Sequence, residues 1–146
     1  MTDRTAYLEL IRELVNGDAE AYRERCAELD EKGWDELGIV VGAAFFLAAR
    51  QRRVTFQDEA AIIRYVAETR AEMADTSFDL DPAVAEKLFA ATTTGDTDEL
   101  DNVDPNLIIE SEMLLLWKLL RPLSADELSR FLAEVDSLSA QWAEGE

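Results

Sequence analysis

Apolar residues recur along this chain at helical spacing and almost nowhere alternate in the manner of a strand. Tyr7, Leu10, Ile11 and Leu14 fall at i, i+3, i+4 and i+7, which predicts a helix from about Asp3 to Asn16, with Gly17 placed to end it. A second helix opens on Asp18 as N-cap and stops before Gly33. Its apolar stripe, Ala19, Tyr22, Cys26 and Leu29, is narrow enough for an outer helix.

The stretch GIVVGAAFFLAARQRR, Gly38 to Arg53, begins with twelve residues that carry no polar side chain. It lies in a helix predicted from about Trp34 to Arg52 that is apolar on every side, and such a helix must be covered all round. That makes it the central helix of a bundle. The competing arrangement leaves part of it open in the monomer and covers it with a two-fold partner, which makes a homodimer. Gly38, Gly42 and Ala49 on one side, and Ala44 with Ala48 on another, let neighbouring helices approach closely. The apolar run falls short of the ~20 residues that span a bilayer, so a membrane role is not expected.

The fourth helix is predicted to open at Thr55, its hydroxyl capping near Asp58, and to continue to about Asp75. After a turn, Asp81 followed by Pro82 starts a short fifth helix to about Ala91. Thr92 to Asp104 reads as a loop with one helical turn near Asp98 to Asn102. Asp104 and Pro105 start the sixth helix, which Pro122 ends. Ser124 with Glu127 forms a capping box for the seventh, striped with Leu128, Phe131, Leu132, Val135, Leu138 and Trp142. The expectation is a single all-α domain over residues 1–146, an irregular or orthogonal helical bundle of six to seven helices around a central apolar helix.

Composition narrows the chemistry. Fourteen basic against thirty-two acidic residues leave a net charge of −18, which repels phosphate backbones and anionic lipid surfaces. General nucleic-acid binding is disfavoured, while a basic protein partner, mimicry of DNA or plain solubility all suit the charge. Cys26 is the only cysteine and histidine is absent, so neither an internal disulfide nor a zinc site of histidines and cysteines can form. Ser-His-Asp and Cys-His catalysis lack their base. The opening residues, MTDRTAYLEL, lack the basic-then-apolar order of a signal peptide, and a cytoplasmic protein is expected.

Three sets of residues carry candidate chemistry. On helical wheels, Glu112 falls amid Ile108, Ile109, Leu115 and Leu119 of the sixth helix. Glu59 and Arg70 fall on an apolar arc of the fourth formed by Ile62, Ile63, Val66, Ala67 and Met73. A buried carboxylate needs a partner to stay ionised, which predicts a buried Glu112–Arg70 pair. Glu59, Arg70 and Glu112 could equally form the polar floor of a small-ligand pocket. Glu68, Glu72 and Asp75 are the metal candidates: Glu72 and Asp75 match the E-x-x-D half of the Mg²⁺ pattern of all-helical nucleotide pyrophosphatases, but the E-E-x-x-E half is missing. Arg50, Arg52 and Arg53 form the only basic cluster, suited to a helix C-terminus or to docking an anionic partner.

The runs IIRYVAETRAEM and LDPAVAEKLFAA resemble small all-helical proteins of high-GC Gram-positive bacteria whose role is undetermined. The likeness covers roughly Phe56 to Ala91; it implies a bacterial cytoplasmic protein and brings no activity, cofactor or site residue. Two function classes follow from the residues. The favoured one is a non-enzymatic acidic interaction or regulatory module with a protein partner and no cofactor. The other is a small-ligand-binding protein or Mg²⁺-dependent enzyme built on the carboxylates above.

Overall fold

The computed structural model describes residues 4–32, 36–51, 58–75, 79–94 and 98–144, with the backbone alone at 32, 93 and 94. Among these the protein is all-α, as its periodicity predicts, and no strand occurs. The helices are α1 Arg4–Asn16, α2 Ala19–Lys32, α3 Leu37–Gln51, α4 Glu59–Glu72, α5 Pro82–Thr94, α6 Pro105–Leu120 and α7 Ala125–Glu144. A single 3-10 turn, Asp98–Leu100, precedes α6 where one helical turn is expected.

The boundaries follow from local hydrogen bonding. Gly17 adopts φ +73°, the left-handed conformation that glycine tolerates, and ends α1. Its N–H donates to the Leu14 carbonyl and that of Asp18 to the Glu13 carbonyl, the paired bonds of a Schellman stop. Asp81 accepts from the amides of Ala83 and Val84, Asp104 from that of Asn106, and each is followed by the expected proline. At α7 both halves of the capping box form: the Glu127 amide donates to Ser124 Oγ and the Ser124 amide to Glu127 Oε1.

Four boundaries differ from expectation: α3 begins at Leu37 rather than near Trp34, α4 ends at Glu72 rather than near Asp75, and the start of α4 and the end of α5 also move. Asp58, not Thr55, caps α4: its backbone is extended and its carboxylate accepts from the Ala61 amide at 2.7 Å. Thr55 itself lies outside the described residues. α5 continues three residues past Ala91, to Thr94.

Contacts group into two units. The first comprises residues 1–44 and 116–146, and in it α1 packs on α2 and on α7. Its core is built from Tyr7, Leu10, Ile11, Leu29, Val40, Leu120, Phe131 and Val135, all buried. The second comprises residues 45–115, and in it α4 packs on α5. Here Phe45 and Phe89 lie 5.2 Å apart between ring centroids, and Tyr65 meets Phe89 edge-on at 5.8 Å. The buried hydroxyl of Thr69 donates back to the Tyr65 carbonyl, so this polar group enters the core satisfied.

The all-round burial expected of α3 is found instead in α6, where the six consecutive residues 111 to 116 are all buried. In α3, Val40, Val41, Ala43, Ala44, Phe45, Ala48 and Ala49 are buried, whereas Gly38 is exposed and Gly42, Phe46 and Leu47 are half-buried. Part of that open arc is shielded from within the helix, since the Arg50 guanidinium stacks over the Phe46 ring at 5.3 Å.

Candidate functional site

Glu112 is the buried acid the wheel predicts. It lies on α6 between Ser111 and Met113, 7% exposed. The loss of water around it raises its carboxyl from the ordinary 4.5 to about 8. At neutral pH the group is therefore largely protonated, a neutral acid rather than an anion. In that state it is a poor ligand for Mg²⁺, which selects ionised oxygens.

The partner assigned to it is elsewhere. Arg70 and Glu59 are both exposed, and Arg70 makes no ion pair with Glu112. The buried side of α4 consists of Ile62, Tyr65, Val66 and Thr69. At 100° per residue these centre roughly 70° away from the arc drawn through Ile63 and Ala67, enough to turn Glu59 and Arg70 out to solvent. Protonation takes the place of pairing as the way Glu112 avoids burying a charge.

The metal candidates do not converge. Glu68, Glu72 and Asp75 are exposed, and among the described residues no three acids, cysteines or histidines group closely enough to hold a metal ion. Of the basic cluster, Arg50 is exposed on the last turn of α3 above Phe46, while Arg52 and Arg53 lie outside the described residues.

Elsewhere the surface organises charge in a way the residue pattern does not reveal. Arg4 joins Asp136 of α7 at 3.2 Å and Glu36 at 3.9 Å. Arg12 contacts Glu9 and donates to Ser129 Oγ, and Arg25 bridges Glu13 at 2.9 Å and Glu28 at 3.1 Å. All of these lie in the first unit, and those to Asp136 and Ser129 span more than a hundred residues of sequence, beyond the reach of helical periodicity. On α2, Tyr22 and Cys26 adjoin one another one turn apart, and burial pushes the phenol up to about 12 and raises the thiol. Both protons stay in place near neutrality.

No helix among the described residues is long and apolar enough to cross a membrane. Neither a family model, a curated protein nor a solved structure matches the chain.

Proposed function

We propose that the protein is an acidic helical interaction module that docks a basic protein surface in the cytoplasm, without catalysis of its own. The observation that carries this is the excess of eighteen negative charges together with how the first unit uses its cations. Arg4, Arg12 and Arg25 are each engaged by carboxylates of the same unit. Asp18, Glu20, Glu24 and Glu31 stand exposed along and before α2, and Asp126 and Glu127 on the first turn of α7. Such a surface speeds encounter with a positively charged partner and rejects anionic ones.

The test is an amide-resolved NMR titration with a lysine- and arginine-rich peptide at physiological salt. Shifts confined to α2 and the start of α7 are expected. Shifts spread evenly over every acidic position, as a diffuse counter-ion gives, overturn specific docking.

Glu112 favours a second reading, in which a small molecule meets its protonated carboxyl inside the second unit. Co-purification of a compound with the parent protein but not with Glu112→Gln supports that reading. A binding profile equal for both proteins removes it.

A further inference from the structure

Ala60, Ile63, Ala67 and Ala71 of α4 are all exposed. At 100° per residue they fall within about 80° of one another, a continuous apolar stripe. Ile63 is 45% exposed and is one of two large hydrophobic side chains left open among the described residues. The opposite side of the helix, Ile62, Tyr65, Val66 and Thr69, is committed to its own core. Arg64 and Glu68 run along one edge of the stripe, Glu59 and Arg70 along the other, and all four are exposed. In a chain with thirty-two acids to fourteen bases, neither Arg64 nor Arg70 is ion-paired with a described residue, whereas Arg4, Arg12 and Arg25 are.

We propose that this face binds the same face of a second copy of the chain, with the two α4 helices antiparallel about a two-fold axis through Ala67. The occupant is chosen by charge. A basic partner would set like charge against Arg64 and Arg70, and an acidic one against Glu59 and Glu68. A second copy sets each against its opposite. In the antiparallel arrangement each edge meets the same edge of its mate. Arg64 stands three residues before the axis and the partner's Glu68 one residue beyond it, so they meet within about 3 Å along the helix direction. On the other edge Arg70 and the partner's Glu59 are offset by about 7.5 Å, within the reach of an arginine side chain. Parallel pairing would instead set each edge against the opposite one, so that reversals at 64 and 68 would not compensate one another. Alanine at 60, 67 and 71 leaves the backbones free to approach, and Ile63 fills the space beside the crossing.

The four charges of this face sum to zero within a molecule of −18, so the face itself adds no net repulsion between two copies. One helix from each copy gives an interface at the small end of the range, below about 1,200 Å² in total, and the dimer is weak and reversible.

The experiment is sedimentation velocity over a concentration series reaching the millimolar range, on the parent, Arg64→Glu, Glu68→Arg and an equimolar mixture of the two variants. Far-UV circular dichroism checks that each remains folded. The parent is expected to dimerise with concentration, and each single reversal to weaken the dimer about tenfold or more by opposing like charges. The mixture is expected to recover the parent's strength, since in the mixed pair every edge again meets its opposite. A parent that stays monomeric throughout, or single reversals that dimerise as the parent does, or a mixture no stronger than either variant alone, each overturns the proposal. Ala67→Arg, which places a bulky cation on the axis, must also abolish association; a dimer that survives it forms through some other face.

Discussion

A single carboxyl sets much of the expected pH response. In the unfolded chain Glu112 releases its proton near 4.5, and in the folded chain near 8. Between these values the folded state holds more protons than the unfolded one, so stability falls as pH rises through the window and levels off once the buried carboxylate is charged. The slope for one group is about 1.4 kcal/mol per pH unit at most. Glu112→Gln removes the ionisation while keeping the shape. It should unfold within about 1–2 °C of the parent at pH 5 and several degrees above it at pH 8, on the usual conversion of stability to melting temperature. Thermal melts at the two pH values check this, and a gap that stays constant or narrows counts against a buried Glu112. Arg70→Ala, by contrast, has no buried pair to break. Glu112 was legible in the sequence because leucines and isoleucines surround it on every side of its wheel. Arg70 was misplaced because Ile63 and Ala67 drew the arc of α4 toward it, while Tyr65 and Thr69, which define the buried side, look amphipathic or polar on paper.

At the scale of elements, the legible features are those whose chemistry is local. The Asp-Pro starts of α5 and α6, the Ser124–Glu127 box and the Gly17 stop each declare themselves within four residues. The start of α4 did not, because Thr55 and Asp58 are both able to cap and only the backbone chooses between them. Asp58 holds the bond to Ala61, so Asp58→Ala should cost about 1 kcal/mol and Asp58→Asn much less, asparagine being an equally good cap. Urea unfolding of the three proteins decides it, and equal midpoints for Asp58→Ala and the parent would show that α4 is capped by another residue. All-round burial belongs to α6 rather than to α3 for a related reason. A run of apolar letters signals a need for cover but not which neighbours supply it, and two glycines leave little side chain to be covered.

For the whole molecule, charge is the dominant long-range term. The ion pairs at Arg4, Arg12 and Arg25 are partly exposed, and such pairs contribute between 0 and about 1 kcal/mol each. Mutual repulsion among the surplus acids acts across the entire surface and is screened over roughly 8 Å at physiological salt. Added sodium chloride should therefore raise the unfolding midpoint, the relief of repulsion outweighing the weakened pairs. Calorimetry from low to high salt measures the sign, and a midpoint that falls would mean that the local pairs prevail.

The division of the chain between the two units bears on how the protein is made. The second unit is one continuous stretch, residues 45–115, whereas the first is assembled from two separated segments. On a ribosome, α4 and α5 can pack as soon as they emerge. Ala6, Tyr7, Leu10 and Ile11 of α1 must wait for α7, since the arginine at position 4 meets its aspartate 132 residues downstream. The packing of α1 is thus completed only once α7 has followed it. In the interval its apolar stripe lacks the cover that α7 gives, which makes α1 of the nascent chain a natural client of a chaperone.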